Sequence, residues 1–332
     1  HGDTCRIFIN PHCVLLQYAI TCVPADVMSG LIVLLQTAVG LNIGSAYDCT
    51  FLTLQPTYTI NKPDAIAAIV DTMVTAAKKD MGFVFCGYST TRSLRSTSTV
   101  GGYAVEVGDN LFGRLAFPDA DALKNHLATA PDSASLLADV ATLKSLEIHG
   151  PAAELAKLSI DGANMFEIES GLSRLERETG AAMLPIQAIS VHSRFTIKDA
   201  AAAKPICAEL IERTVKETDC LYSSWTRCGD ELYLREAFGS VVGIARHVDN
   251  VGDLLSSLSS EGGPATLDSN ELHAPLGNMR LFDEYISDTA KGRGFKGLDE
   301  YCGTGTTTYY SEAGFSKYDV QQSVFGRFIK KR

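Results

Sequence analysis

The sequence repeats itself at long range, and this repeat constrains the fold more than any local pattern. The segment DNLFGRLAF, residues 109–117, matches DELYLREAF, residues 230–238, with Asp, Leu, Arg, Ala and Phe at the same places. The same alignment places His126 on His247, each one helix further along the chain. A shared residue order over this length predicts that one structural unit occurs twice.

A second match fixes where the two units end. The segment LEIHGP, residues 146–151, aligns with NELHAP, residues 270–275, after a small insertion in the second copy. Because the matches follow one another in the same order, we place the first repeat at residues 51–158 and the second at 188–283. The chain of 332 residues is long enough for both units to bury a core.

Each repeat shows the pattern strand, helix, strand, strand, helix, strand. The first strands are expected at residues 53–60 and 189–197, and the helices that follow begin near Pro63 and after a cap at Asp199. This order is the split βαβ pattern of ferredoxin-like units, which have helices on one face of an antiparallel sheet. The other face must be covered, and a second unit in the same chain can cover it. We therefore expect an α+β fold with two ferredoxin-like βαββαβ units packed into one body.

Three segments fall outside the repeats. Residues 1–50 are apolar, and the uncharged run 27–47 fits a membrane anchor, a buried core helix or the remnant of a targeting sequence. Residues 159–187 are expected to be a linker with one short helix. Residues 284–332 form an arm rich in aromatic residues, which docks either on a partner or lipid surface or on the chain's own body.

Charge and cysteine spacing exclude several classes of function. The net charge of −10 argues against a nucleic-acid partner, because binding phosphates needs a concentrated positive field. The nine cysteines are scattered without a CxxC pair, so they predict neither a zinc site nor a disulfide framework. No metal site and no cofactor are predicted; a pigment, a haem or a lipid stays an open alternative that no residue pattern supports.

The repeat motifs resemble a known family. REAF, then His247 in GIARHV, then ELHAP are similar to the antibiotic-biosynthesis-monooxygenase-like (ABM-like) domain of the dimeric α+β barrel superfamily, and GRLAF, ALKNHL and EIHGP look like a diverged second member. The resemblance implies a barrel that forms between two chains in the family and within one chain here. Members include cofactor-independent oxygenases, haem-degrading enzymes, isomerases and proteins without known catalysis, so the fold alone does not select a function.

The second repeat carries the catalytic candidates. His247 is the expected general base, with Arg235 and Glu236 beside it. Arg235 and Glu236 are neighbours along a strand, so their side chains are expected on opposite faces of the sheet. The first repeat has Leu115 where the second has Glu236, so any chemistry is expected in the second repeat.

Other repeat-matched residues are candidates for a ligand pocket or for structural roles. The expected pocket is aromatic and basic, with the members Tyr222, Trp225, Tyr88, Phe85, His126 and Arg114. His149 and His273 each precede a Gly-Pro or Ala-Pro pair, and we expect them to be structural groups that close that turn by hydrogen bonds.

Two functions follow from these patterns. In the first, the chain is a non-catalytic accessory subunit of a membrane-associated assembly, for example in a photosynthetic thylakoid membrane, and binds other subunits through residues 1–50 and 284–332. In the second, it is a cofactor-independent monooxygenase or a binding protein for small aromatic ligands, in a soluble intracellular setting. The first is preferred at this stage, because the terminal segments are unusual and the catalytic residues differ between the repeats.

Overall fold

The computed structural model describes residues 47–48, 51–79, 82–96, 103–129, 133–173, 188–275 and 306–316. The strands are β1 (Tyr47–Asp48), β2 (Leu52–Ile60), β3 (Phe85–Ser96), β4 (Tyr103–Phe117), β5 (Ala141–Gly150), β6 (Ala163–Ser173), β7 (Ile189–Ile197), β8 (Cys220–Cys228), β9 (Glu231–Phe238), β10 (Ala265–Ala274) and β11 (Thr306–Ser316). The helices are α1 (Pro63–Ala77), α2 (Ala120–Thr129), α3 (Ser133–Leu137), α4 (Ala152–Leu155), α5 (Ala200–Thr214) and α6 (Val241–Ser259).

All described strands belong to one mixed sheet, in the order β1-β6-β5-β2-β4-β3-β11-β10-β7-β9-β8, and β6 also pairs with β8. This last pairing closes strands β2 to β11 into a ring. The first repeat contributes β5-β2-β4-β3 and the second contributes β10-β7-β9-β8, so the same strand order occurs twice. The α+β class is therefore confirmed, whereas the two facing sheets that we expected are joined into one closed sheet.

Two strands beyond the predicted repeats close the ring. β6 runs parallel to β5 and antiparallel to β8. β11 runs parallel to β10 and antiparallel to β3. The strand that follows each repeat thus pairs with its own repeat on one side and with the other repeat on the other side. The boundaries at residues 158 and 283 omit these strands, so we use "first half" for residues 51–173 and "second half" for 188–316.

The two strands also revise what we expected outside the repeats. The described part of the predicted linker is mainly strand β6, and the rest, residues 174–187, lies outside the described residues. In the C-terminal arm, residues 306–316 are part of the chain's own sheet, as in the self-docked alternative. The other arm residues lie outside the described part of the chain.

Local sequence signals explain where the helices begin. Pro63 occupies the first turn of α1, where its missing N–H costs nothing. The Asp199 carboxylate accepts the backbone N–H groups of Ala201 and Ala202 and so caps α5. The Ser240 hydroxyl caps α6 by accepting the backbone N–H of Gly243.

The two faces of the closed sheet differ in chemistry. One face packs against the helices with apolar residues, including Leu54 and Leu115 in the first half and Val191 and Leu272 in the second. The other face joins side chains of both halves inside the ring, as where Arg194 bonds Glu147. Polar side chains that alternate with the apolar core therefore meet inside the closed sheet.

The predicted membrane anchor, residues 27–47, lies outside the described residues except for Tyr47. Within the described residues, no helix combines the length and the apolar character that crossing a membrane requires.

Candidate functional site

Strand β9 separates the three predicted catalytic residues into two places. Arg235 is the register partner of His192 on β7, whereas Glu236 is the partner of Val191. Cross-strand partners share a face of the sheet and successive residues alternate. The Glu236 side chain therefore points towards the helices, where His247 lies on α6. The Arg235 side chain points into the ring. The structure brings His247 and Glu236 together and places Arg235 apart from them, as alternation predicts.

On the helix side, His247 of α6 lies between two carboxylates. Its Nδ1 is 2.9 Å from Oε2 of Glu217, and its Nε2 is 3.1 Å from Oε1 of Glu236. The Asn250 amide donates to Glu217 at 2.6 Å, and the Ser223 hydroxyl donates to Glu236 at 3.0 Å. We call Glu236, His247 and Glu217 the carboxylate relay. Glu236 and His247 are 0% exposed, and Glu217 is 13% exposed, so Glu217 is the end of the relay nearest to solvent.

The two carboxylates decide the charge of the imidazole. Burial alone would lower the pKa of His247, but the negative charges of Glu236 and Glu217 and their hydrogen bonds raise it to about 10. His247 is therefore an imidazolium at neutral pH, with each ring nitrogen facing a carboxylate. We expected a neutral imidazole that accepts a proton from substrate, and this charge state corrects that expectation.

The first half differs from this relay in one of its two carboxylates. Leu115 replaces Glu236, and His126 packs against the rings of Phe83 and Phe117, with centroids 4.5 and 5.3 Å away. His126 thus packs against the aromatic core on the helix side of the sheet.

Inside the ring, the second half brings two imidazoles and a carboxylate together. His273 Nε2 lies 3.1 Å from Oε2 of Glu271, and His192 Nδ1 lies 3.9 Å from the same oxygen. The two imidazole rings stack with centroids 4.2 Å apart. Ser190 Oγ contacts His192 Nε2 and Ser89 Oγ contacts His273 Nδ1, both at 2.9 Å. We call His192, Glu271 and His273 the inner triad.

The first half repeats this arrangement with different residues. His149 Nε2 lies 3.3 Å from Glu147, and His149 Nδ1 lies 2.7 Å from the Thr226 hydroxyl. Gln55 pairs with Glu147 in the register, as His192 pairs with Glu271. Arg194 donates from Nη2 to both Glu147 oxygens at 2.8 Å. The first half therefore has Gln55 in the position of His192. Its carboxylate, Glu147, is bound by Arg194, whereas Glu271 of the second half is more exposed.

These contacts refine the structural roles predicted for two histidines. Through Nε2, His149 and His273 each contact the glutamate two residues earlier, and through Nδ1 each contacts a hydroxyl of the opposite half, Thr226 or Ser89, rather than the following turn. Each ring also stacks on an aromatic residue of the added strand, His149 on Phe166 and His273 on Tyr309. Both histidines hold the halves together.

The predicted aromatic pocket is divided between the two faces of the sheet. Tyr222 belongs to a buried cluster with Ala237, whereas Trp225 packs against Phe195 and Leu234 below the helices. Phe85 and Tyr88 are divided in the same way. The guanidinium groups of Arg114 and Arg235 lie 5.8 and 4.6 Å from the Tyr222 ring centre.

Sequence reasoning missed His192, Glu271 and Glu217. A signal existed for the first two, because ELH ends the second repeat as EIH ends the first, and the opening strand of a split βαβ unit pairs with its last strand. Placing His192 opposite ELH would have shown the inner triad. Glu217 lies just after α5, where no periodic pattern indicates which way a side chain points.

No family model and no curated protein matches the chain. Among solved structures, the chain is similar to a "putative monooxygenase" from Fusobacterium nucleatum, with 9% identity, 68% of this chain and 90% of that chain covered, and a TM-score of 0.46. A "putative monooxygenase" from Lactobacillus acidophilus matches with 10% identity, 68% and 92% coverage and a TM-score of 0.42. An "anthrone oxidase-like protein" matches with 8% identity, 68% and 94% coverage and a TM-score of 0.33.

Proposed function

We propose that the chain is a cofactor-independent monooxygenase for small aromatic substrates, built as an α+β barrel in which the two halves take the places of two subunits. The carboxylate relay carries this proposal. It is a buried acid–base system on the face of the sheet that packs against helices, and the first half has Leu115 in place of its Glu236.

The relay can act as a base although His247 is charged. One imidazolium between two carboxylates leaves a net charge of −1, so the group as a whole can take up one proton. Glu217 is its partly exposed member and is our candidate for the catalytic base. His247 and Glu236 are positioning residues, because they orient Glu217 and stabilise the charge without being exposed to a substrate.

The chemistry needs a carbon acid or phenol whose anion can reduce dioxygen. Anthrone illustrates the balance: its CH₂ carbon loses a proton to Glu217, and the anion passes electrons to dioxygen. One oxygen atom remains on that carbon as a carbonyl, and the other leaves as water with the two hydrogens removed. The substrate supplies all the electrons, so the protein needs to provide a base and a site that excludes bulk water.

The accessory-subunit hypothesis gains no support from the described residues. Residues 306–316 of the proposed docking arm are paired within the chain's own sheet. Binding of other subunits through residues 1–46 or through the rest of the arm stays a prediction, as does any pigment, haem or lipid.

The test is oxygen uptake by the full-length chain with anthrone and with hydroquinone as probes. The Glu217→Gln variant keeps the shape of the side chain and removes the base. It should lower kcat by about 10²-fold or more, the usual contribution of a general base. His247→Gln should also lower kcat and should shift the pH profile, because the charge of the relay changes.

The matched control is His126→Gln in the first half, which should retain most of the activity because His126 packs against Phe83 and Phe117. An absence of oxygen uptake by the wild type with either probe would refute the oxygenase hypothesis. Equal loss in the His126 and His247 variants would show that the relay is not specific to the chemistry.

A further inference from the structure

The inner triad has the composition and geometry of a metal-binding group. The candidate ligand atoms of His192, Glu271 and His273 all lie within 4.8 Å of one another. Bonds of about 2.1 Å to an ion place tetrahedral ligand atoms roughly 3.4 Å apart. The contact of 3.1 Å between His273 Nε2 and Glu271 Oε2 already suits an ion, and His192 would have to approach by about 1 Å.

A hydrogen bond to Ser190 fixes which nitrogen of His192 carries the lone pair. The Ser190 hydroxyl donates to the backbone carbonyl of Glu236 at 2.9 Å, which uses its only hydrogen. Its oxygen lies 2.9 Å from His192 Nε2, so Nε2–H must be the donor in that contact. In the neutral ring, the lone pair is therefore on Nδ1.

That lone pair has no hydrogen-bond donor among the described residues. His192 is 1% exposed, and its Nδ1 makes no hydrogen bond. The nearest carboxylate oxygen, on Glu271 at 3.9 Å, is itself an acceptor when ionised. A buried acceptor without a donor is costly, since its hydration is lost without replacement. A cation between Nδ1 and Glu271 would satisfy both groups.

The Nδ1 atom of His273 has a hydrogen-bond partner that suits binding of the same ion through Nε2. Ser89 Oγ lies 2.9 Å from His273 Nδ1, and a hydroxyl can donate or accept as it rotates. When the ion takes the lone pair of Nε2, the proton moves to Nδ1 and is donated to Ser89. Metal-bound histidines usually donate their other ring N–H to such a partner, which holds the ring in place.

The first half shows what the same framework looks like without this capacity. Gln55 stands in the register position of His192, and its amide donates to Thr53 at 3.0 Å, as His192 donates to Ser190. The carboxylate of Glu147 is occupied by Arg194. The first half therefore has one imidazole and a neutralised carboxylate, and it serves as an internal control.

We propose that His192, Glu271 and His273 bind one divalent first-row transition-metal ion inside the closed sheet. Two imidazoles and one carboxylate suit Zn²⁺, Fe²⁺ and Co²⁺ and leave coordination positions open. Glu271, whose side chain is 21% exposed, marks the side from which the ion enters. The inference does not rest on the proposed oxygenase activity, because the inner triad and the carboxylate relay lie on opposite faces of the sheet.

The experiment is a titration of the full-length, chelator-treated protein with Co²⁺. The expected result is about one ion bound per chain, visible d–d absorption of a low-symmetry site, displacement by Zn²⁺ and a raised Tm, since an ion bound to the folded state stabilises it. His192→Gln copies the residue of the first half and is the most conservative removal of a ligand. It and Glu271→Gln should each weaken Co²⁺ binding by at least about 10-fold, while Ser89→Ala should weaken it by about 10- to 100-fold.

His149→Gln is the matched control and should leave Co²⁺ affinity and absorption unchanged, because Arg194 occupies its neighbouring carboxylate. Circular dichroism of each variant separates loss of the site from loss of the fold. Binding that is equally tight in wild type and His192→Gln, or the absence of d–d absorption at saturating Co²⁺, would overturn the proposal.

Discussion

Arg194 of the second half holds the Glu147 carboxylate of the first half through one nitrogen at 2.8 Å from both oxygens. This ion pair crosses the inside of the closed sheet and joins β7 to β5. The Arg194 guanidinium also lies 4.7 Å from the Tyr233 ring centre, so it is packed as well as charged.

The first prediction is that Arg194→Met destabilises the protein by about 3 kcal/mol, because it leaves a buried carboxylate without its cation. The free energy of unfolding in urea measures the loss. The double variant with Glu147→Gln should recover part of it, since the remaining charge is gone. Strictly additive effects of the two substitutions would show that the two side chains do not interact.

The second prediction concerns acid. Burial alone would raise the pKa of Glu147, but hydrogen bonds from His149 and Arg194 and their charges hold it at about 2. A lowered carboxyl pKa stabilises the fold above the unfolded value near 4.5, and this contribution is lost as the pH falls towards 2. We expect a loss of about 2–3 kcal/mol over that window. Urea unfolding at several pH values should show a weaker dependence in Glu147→Gln.

The third prediction concerns alkali. The pKa of His247 is raised to about 10 in the folded protein. The charged imidazole therefore contributes fully to the free energy of unfolding below the unfolded-state pKa near 6.5, and this contribution is lost as the pH rises through 10. The expected loss is on the order of 3–5 kcal/mol. His247→Gln should show a flatter stability profile between pH 6.5 and 10. An identical alkaline slope in that variant would contradict the imidazolium assignment.

The fourth prediction concerns the last described strand. Deletion of residues 301–332 removes β11 and leaves the edges of β3 and β10 unpaired. Open strand edges pair with other chains, so the truncated protein should form oligomers or aggregates and lose most of its cooperative unfolding. Light scattering and thermal unfolding measure both effects. Deletion of residues 319–332 is the control and should keep the closed sheet intact, because β11 ends at Ser316.

The order of elements within each repeat could be predicted from the sequence, because apolar spacing and caps are local signals. The helix that begins at Pro63 and the cap at Asp199 are examples. A barrel within one chain was expected from the family resemblance, but the two strands that close it, β6 and β11, were not predicted, because they lie in segments outside the matched repeats. A faint signal existed: ESGLS in β6 matches EAGFS in β11.

The site was predicted only in part, because some of its contacts join residues of different elements. Repeat matching singled out His247, Glu236 and Arg235, and alternation separated Arg235 correctly. The charge of His247 depends on Glu236 and also on Glu217, which comes from a different element, and no pattern along one strand reports the contact with Glu217. Residues that differ between the repeats, such as His192 and Gln55, are invisible to a search for identity.

The strands β6 and β11 join two halves that are related by a repeat but differ in sequence. In a homodimer of identical subunits, a two-fold interface makes every substitution appear twice, so a change that suits one side must be tolerated on the other. Here the two sides are encoded separately. Each member of a matched pair, such as Thr226 and Ser89 or Gln55 and His192, can therefore be substituted alone. Substitutions can change the interior of the ring on one side while the contacts of the other side still hold the halves together.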